Sequence, residues 1–222
     1  MEVKVQRKRI KDSKKSKEDI LKAAEQEFSD KGLYGTRVDE IAKKANINKR
    51  MIYEYFGSKE NLYKSVLVEV YSRLSQMEIK SLANEGTCTQ KIRNIIQTYF
   101  EFLRDNPSFV SMVLWENLNK AKYFNELDIK AIKDPTIDFL RRIIAEGKQN
   151  GSFRSEIDAD QIIFSLLTYT FSYYSNRYTM SKLMQKKLDD EKNIQKRIDN
   201  VVDMFLKYMC SYDYTAKAHS TE

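Results

Sequence analysis

Two basic side chains and a phenol are spaced so that they share one face of a short helix in the first third of the chain. Lys49, Arg50 and Tyr53 fall on this face, whereas Ile52 and Phe56 fall on the opposite, apolar face. Cations and hydroxyl groups of this kind hydrogen-bond to phosphates and to base edges, and a single α-helix fits the major groove of B-DNA. The face therefore predicts a helix that enters a major groove.

Three short helices are predicted to position that face. Residues 18–31 carry an amphipathic pattern that ends at Gly32, a second helix follows Thr36, and Asn48 can cap the third. Asn46 suits a tight left-handed turn between the second and third helices. This arrangement indicates a helix-turn-helix unit.

The remainder of the chain is predicted to form a second, all-helical unit. A long helix is expected to begin after a Ser58 cap, and Asp134 is expected to cap a helix that starts with proline. Apolar side chains recur at helical spacing over residues 89–105, 158–178 and 189–212. The segment 158–178 is apolar nearly all round, so it needs partners on more than one side.

Composition argues against several other classes of protein. The 222 residues include two prolines and six glycines, which is too few for the turns of a β-sandwich or the phosphate loops of a Rossmann fold. We expect no transmembrane helix and no signal peptide, because no long uncharged apolar stretch is present. Two distant cysteines and one histidine make no plausible ligand set, so neither a metal nor a cofactor is expected. We expect a cytoplasmic location.

The positive charge is concentrated at one end of the chain. The formal net charge is +7, and residues 1–17 carry eight basic side chains against two acidic ones. A basic arm suits contact with the phosphates of a polyanion. A solvated tail that aids solubility explains the same charge equally well.

Glycine, capping and aromatic positions form a combined pattern over about residues 15–65. The pattern consists of the runs Ile20-Leu-Lys-Ala-Ala-Glu-Gln-Glu-Phe28, Lys31-Gly-Leu-Tyr-Gly-Thr-Arg-Val-Asp-Glu-Ile-Ala42 and Ile52-Tyr-Glu-Tyr-Phe-Gly-Ser-Lys-Glu-Asn-Leu62. It resembles the TetR family of bacterial transcriptional regulators. The resemblance implies a ligand-responsive, sequence-specific DNA-binding regulator, a repressor released from its operator by a small molecule.

The resemblance also implies which residues contact double-stranded DNA. They are Thr36, Arg37, Asn48, Lys49, Arg50, Met51, Tyr53, Tyr55 and Lys59. The spacing of Tyr55 with Ile52 makes Tyr55 at least partly a core residue. Glu54 places a carboxylate on the DNA side, where it can accept a hydrogen bond from a cytosine amino group but is repelled by phosphate. The operator is expected to be palindromic, and its base sequence stays open.

For the second unit the resemblance implies a homodimer and, often, a small-molecule pocket. The predicted dimer contacts are Ile162, Leu166, Tyr169, Ile198, Val202 and Phe205. The predicted pocket, where aromatic residues meet isolated polar groups, comprises Met112, Trp115, Glu116, Asn117, Tyr169, Tyr173, Asn176 and Arg177. No effector is assigned to it.

The expected fold is therefore all-α, with an N-terminal three-helix helix-turn-helix DNA-binding domain and a C-terminal helical ligand-binding and dimerisation domain. Its divisions are a basic arm (residues 1–14), the DNA-binding domain (15–60, motif about 37–56), the helical regulatory domain (61–214) and a tail (215–222).

Three other function classes compete with this interpretation. An enzyme lacks support, because the sequence has neither a glycine-rich phosphate loop nor a GxSxG motif. A helical protein-interaction module that no longer binds DNA is the stronger rival, and the basic residues argue against it. Membrane-surface binding by residues 1–17 is disfavoured by their lack of large apolar side chains.

Overall fold

The described part of the chain is helical throughout. The computed structural model describes residues 2–82, 86–128 and 135–210, with side chains over 13–77, 86–128 and 137–210. The predicted all-α class is confirmed, since the described residues contain ten α-helices, a 3₁₀ turn and one isolated β-bridge. None of the helices in these ranges is both long enough and apolar enough to cross a bilayer.

The helix bounds follow the chain order. They are α1 (Glu2–Gly35), α2 (Val38–Lys44), α3 (Lys49–Phe56), α4 (Lys59–Leu82), α5 (Cys88–Asp105), α6 (Pro107–Leu118), α7 (Pro135–Gln149), α8 (Ala159–Ser175), α9 (Arg177–Met184) and α10 (Glu191–Met209). The 3₁₀ helix spans Phe124–Glu126.

The chain divides into two compact units. The first comprises Met1–Ser72 with Ser108–Ile132, and the second comprises Arg73–Pro107 with Lys133–Glu222. The first unit thus includes most of α6, which the sequence-based division at residue 60 assigns to the second domain.

The first helix is longer than predicted. The sequence pattern starts a helix near residue 18, whereas α1 begins at Glu2. The reason is the abundance of lysine, arginine and glutamate, which are good helix formers, together with the absence of glycine and proline before Gly32. Gly32 has φ 67° and interrupts the helix where the sequence predicted its end.

The turn between α2 and α3 is confirmed in detail. Asn46 adopts φ 53°, in the left-handed region. The Asn48 side chain accepts a hydrogen bond from the Arg50 backbone N–H at 2.8 Å and so caps α3. The Ser58 hydroxyl likewise accepts from the Asn61 N–H at 3.1 Å, at the start of α4.

The second unit departs from the prediction at two helix ends. The Thr87 hydroxyl and the Gln90 side chain form a capping box at the start of α5, a Thr-x-x-Gln signal that the pattern analysis missed. The predicted helix 158–178 ends at Ser175, and α9 follows as a separate helix. The Asp158 cap is confirmed, because its carboxylate accepts from the N–H groups of residues 160 and 161. The predicted Asp134 cap lies outside the described residues.

Helix α8 is the central helix of the second unit and packs against α5, α7 and α10. These neighbours within one chain explain why α8 is apolar nearly all round. Five of the six predicted dimer contacts are consequently buried inside the unit, and the prediction is wrong for them: Ile162, Leu166, Ile198, Val202 and Phe205. Tyr169 alone of the six is exposed, at 40%.

Candidate nucleic-acid interface

Helix α3 presents the predicted polar face to the outside of the first unit. Ile52 is completely buried and anchors the helix on the core. Lys49, Arg50, Tyr53 and Glu54 are exposed on the other side, and Tyr53 keeps 44% of its surface accessible. The predicted division of α3 into a buried and an exposed face is confirmed.

Both cations of this face have carboxylate partners. Arg50 Nε lies 2.9 Å from Glu54 Oε1, and Lys49 Nζ lies 2.8 Å from Asp39 Oδ1 on α2. The hydrogen bond to Asp39 raises the pKa of Lys49. Exposed pairs of this type contribute less than about 1 kcal/mol, so a phosphate can replace either carboxylate at little cost. The i,i+4 spacing of the Arg50 pair was visible in the sequence, whereas the Asp39 pair depends on how α2 and α3 pack.

Tyr55 occupies an intermediate position, as its spacing predicted. Its ring is half-buried, contacts Phe56 edge to face at 6.5 Å between centroids, and lies beneath the Lys17 ammonium at 5.2 Å. Met51, on the same helix, is also half-buried. Tyr55 and Met51 therefore help to hold α3 in place, and they are only partly accessible to DNA.

The side chain of Thr36 belongs to the core of the first unit. The residue is 2% exposed, and its hydroxyl donates to the carbonyls of Glu27 (2.9 Å) and Gly32 (2.8 Å). Both the burial and the hydrogen bonds hold this hydroxyl inside, so the contact that the resemblance implies at Thr36, through free N–H groups at the start of α2, stays a prediction for the main chain. The exposed Arg37 precedes α2 as its N-cap residue, where backbone N–H groups and the helix dipole favour an anion.

Lys59 connects three elements of the first unit. Its ammonium group donates to the Leu33 carbonyl (2.8 Å) and to the Thr36 carbonyl (3.1 Å). The first residue of α4 is thereby joined to the end of α1 and the start of α2. An ammonium group has three N–H donors, so one remains for a phosphate at this position.

A buried carboxylate fixes α1 against α2 behind the interface. Glu27 is 7% exposed and pairs with Lys31 (2.8 Å) and with Lys44 on α2 (2.7 Å), while Lys31 also contacts Glu40 (2.9 Å). A hydrogen bond from Lys31, which has the larger effect, and one from Lys44 lower the pKa of Glu27. This network is not predicted from the sequence, where its only local signal is the i,i+4 spacing of Glu27 and Lys31.

Four of the predicted pocket residues lie on α6, in the first unit. Met112 is fully buried in the core, and the Asn117 side chain is exposed and donates to the Val113 carbonyl. The Trp115 ring packs on Gly32, where an added Cβ would lie 2.9 Å from the ring. These side chains pack or lie on the surface within the first unit, and their part in a ligand pocket stays a prediction.

The fourth of these residues, Glu116, has its carboxylate used within the fold. It is 4% exposed and accepts hydrogen bonds from the Phe124 N–H (2.8 Å) and from the Tyr63 hydroxyl. Burial, together with the neighbouring Glu116 charge, raises the pKa of Tyr63. Glu116 thus anchors the 3₁₀ turn.

The other four predicted pocket residues line three separate clefts of the second unit. Tyr169 lines a cleft of about 550 Å³ between α8 and α10. Tyr173 and Asn176 line one of about 430 Å³, and Arg177 lines one of about 730 Å³. The single predicted pocket, which also draws on residues of the first unit, stays a prediction. Within the described ranges, no three His, Cys, Asp or Glu side chains are grouped so that they could hold a metal ion.

A capped helix with exposed cations, held on a three-helix core, defines a DNA-binding protein of the helix-turn-helix class. Comparison with known proteins then specifies the family. Residues 20–66 match the N-terminal domain described as "Bacterial regulatory proteins, tetR family", and residues 89–205 match "Tetracyclin repressor-like, C-terminal domain". The chain belongs to the TetR family of transcriptional regulators.

Individual relatives cover most of the chain. The transcriptional repressor NicS of Pseudomonas putida is 32% identical over 184 residues, which is 82% of this chain and 87% of NicS. The regulator RutR of Escherichia coli is 29% identical over 188 residues, covering 83% and 86% of the two chains. The solved structure of FadR from Bacillus subtilis in complex with stearoyl-CoA superposes with a TM-score of 0.67 at 19% identity, covering 86% of this chain and 97% of that one.

Proposed function

We propose that this protein is a homodimeric repressor that binds a palindromic operator and is released from it by a small molecule. The observation that carries the proposal is the exposed Lys49, Arg50 and Tyr53 face of α3, on a helix that Ile52 and the Asn48 cap hold in place. Such a face suits insertion into a major groove.

On DNA, the cations of this face exchange carboxylates for phosphates. Arg50 and Tyr53 are long exposed side chains that reach bases or phosphates when α3 lies in the groove, and Lys49 leaves Asp39 for a phosphate. Backbone N–H groups at the start of α2, beside Arg37, bind a second phosphate. The remaining N–H donor of Lys59 binds a third.

The proposed dimer uses the outer faces of α8 and α10. Apolar side chains remain exposed there: Phe164 (70%), Tyr169 (40%), Met204 (42%) and Tyr208 (56%). Tyr169, Met204 and Tyr208 line the same cleft, so these three form one surface. Burying such a surface against a second copy removes apolar area from water. A two-fold dimer presents two α3 helices to half-sites about 34 Å apart, which is why the operator is palindromic.

Small-molecule control is supported by the relatives. NicS carries the name of a repressor, and the FadR structure that this fold resembles was solved with stearoyl-CoA. The helical second unit of the present chain contains several clefts in which a ligand could lie.

The proposal is tested with fluorescence anisotropy on two duplexes, one from the region upstream of the gene and one of random sequence, over a range of salt concentrations. Wild-type protein should bind both, the upstream duplex more tightly, with log affinity falling linearly against log salt. Tyr53→Ala should weaken binding to both duplexes. Failure of the wild type to bind either duplex would refute the regulator and favour a protein-interaction module.

Sedimentation tests the dimer separately. Phe164→Asp and Tyr169→Asp should produce folded monomers, because each places a charge in the proposed interface at a side chain that is exposed in the single chain. Leu118→Asp is the matched control, since Leu118 is 75% exposed in the first unit. A wild type that sediments as a monomer at micromolar concentration would rule out the proposed dimer.

A further inference from the structure

The largest of the three clefts described above is strongly basic. It has a volume of about 730 Å³ and lies among the ends of α5, α8 and α9 and the segment before α10. Its basic lining residues are Arg104, Arg177, Lys182, Lys186 and Lys187, and its acidic lining residue is Asp189. Cavities of this size hold small organic ligands, and the surplus of cations favours a negatively charged one.

Tyr174 contributes an unused hydrogen-bond donor to this cleft. The residue lines the cleft and is 4% exposed, and its hydroxyl has no hydrogen-bond partner among the described residues. Burial raises the pKa of Tyr174 to about 12, so the hydroxyl keeps its proton at neutral pH. By contrast, the hydroxyl of the adjacent Tyr173 donates to the Leu188 carbonyl at 2.6 Å. A buried hydroxyl without a partner is costly in a finished fold, so an acceptor group on a ligand in the cleft would stabilise it.

Two guanidinium groups lie near the Tyr174 hydroxyl, and their charges act on its pKa. Arg104 is engaged by both carboxylate oxygens of Asp105, at 2.8 and 3.3 Å. Arg177 lies 4.7 Å from the Tyr178 ring centroid and donates to the Tyr178 hydroxyl, without a carboxylate partner in the described part of the chain. Arg177 and Tyr174 are therefore a charged donor and a neutral donor that line the same cleft.

We propose that this cleft binds an organic anion, with its carboxylate or phosphate group on Tyr174 and Arg177 and its carbon skeleton against Pro107 and Ile194. The assignment of this anion as the effector rests on the proposed function, whereas the anion site itself does not. Arginine and tyrosine donors suit either acid group, because both offer several acceptor oxygens. A cationic ligand is disfavoured by the five basic side chains.

The test compares three small probes on the full-length protein by calorimetric titration up to ~20 mM, a range that detects weak millimolar sites. Benzoate supplies a carboxylate, phenyl phosphate supplies a phosphate, and benzamide is the neutral counterpart of benzoate. At least one anion should bind at least ten times more tightly than benzamide, and the better anion identifies the acid group.

Variants show whether binding occurs at the proposed site. Tyr174→Phe and Arg177→Gln should each weaken anion binding about tenfold or more, since each removes one direct hydrogen bond to a charged ligand. Tyr173→Phe and Arg141→Gln are the matched controls and should leave the affinity unchanged. Absence of binding by both anions, equal binding of benzamide, or unchanged affinity in the Tyr174 and Arg177 variants would each overturn the site.

Operator binding, measured on the same samples with and without the anion, separates the two proposals. As the effector, the anion should raise the operator dissociation constant at least about fivefold. Anion binding without any DNA binding would refute the regulator and leave the site standing. Anion binding that leaves operator affinity unchanged would refute the effector assignment alone.

Discussion

The ammonium group of Lys59 lies 2.8 Å from the carbonyl oxygen of Leu33 and donates a hydrogen bond to it. The contact joins the first residue of α4 to the chain just beyond the Gly32 interruption. A side chain that the family resemblance assigns to phosphate is thus also part of the frame that positions α2 and α3. Its removal should affect stability and DNA binding together.

Lys59→Met removes the ammonium group and keeps the apolar stem. We expect a loss of about 1–3 kcal/mol in the free energy of unfolding, because the Leu33 and Thr36 carbonyls lose a charged donor. The log–log salt slope of DNA binding should fall by about one. Urea titration and anisotropy measure the two effects, with Lys196→Met, which changes an exposed lysine of the second unit, as the control. An unchanged stability would show that the carbonyl contacts contribute little.

Glu54→Gln removes the carboxylate that pairs with Arg50. The pair is exposed, so stability should change by less than about 0.5 kcal/mol. Affinity for random duplex DNA should rise, because one repulsive charge is removed and Arg50 becomes free to bind phosphate. The opposite result in the same anisotropy assay, weaker binding to random DNA, would mean that Glu54 itself contacts the duplex. Glu60→Gln, an exposed carboxylate on α4, is the matched control.

Glu27→Gln should destabilise the protein in a pH-dependent way. The lysine hydrogen bonds lower the pKa of Glu27 below its ordinary value of 4.5, so its contribution is complete above that pH and is lost as the pH falls through the lowered pKa. We expect a cost of about 1–2 kcal/mol near neutral pH, limited by the partial exposure of Lys31 and Lys44. Urea midpoints of wild type and variant should therefore converge as the solution is acidified. A gap that stays constant would show that the Glu27 charge is irrelevant to stability.

Gly32→Ala tests the close approach of Trp115. The residue has φ 67°, and its added Cβ would lie 2.9 Å from the indole ring. Backbone strain and overpacking together should cost about 2–4 kcal/mol. Gly57→Ala, with φ 76° and its nearest neighbour at 3.6 Å, carries the strain alone and should cost about 1 kcal/mol. Equal losses in thermal unfolding by the two variants would show that Trp115 moves aside freely.

Tyr174→Phe and Tyr173→Phe should differ in stability although they remove the same atom from adjacent residues. The Tyr173 hydroxyl donates to the Leu188 carbonyl, so its loss should cost about 1 kcal/mol. The Tyr174 hydroxyl is buried without a partner among the described residues, so its loss should be neutral or slightly stabilising. Chemical denaturation of both variants in a buffer without organic anions measures the difference. A larger loss for Tyr174→Phe would contradict the unused-donor interpretation.

Local signals in the sequence were sufficient for the helix-turn-helix. Gly32, Asn46 and Asn48 act through their own backbone and nearest neighbours, and each adopts the predicted conformation. The exposed face of α3 follows from helical periodicity alone. The burial of the Thr36 side chain depends on carbonyl groups of α1, which no local pattern reveals.

Predictions for the second unit were weaker because they depended on neighbours. The apolar surface of α8 is explained by three helices of the same chain, and periodicity cannot distinguish those from a helix of a second copy. The pocket predicted around Trp115 and Tyr173 draws on both units, so it stays a prediction. The Tyr174 hydroxyl could not be identified from sequence, because an unsatisfied donor is recognised only when its surroundings are known.

Trp115 is the single tryptophan of the chain, and its indole N–H donates to the Ser29 carbonyl at 3.3 Å within the first unit. Selective excitation of tryptophan therefore reports on the unit that carries α3, whereas far-ultraviolet circular dichroism sums the helices of both units. The protein thus contains its own probe of cooperativity. Coincident fluorescence and dichroism transitions mean that the two units unfold as one system, and separated transitions mean that each unit has a stability of its own.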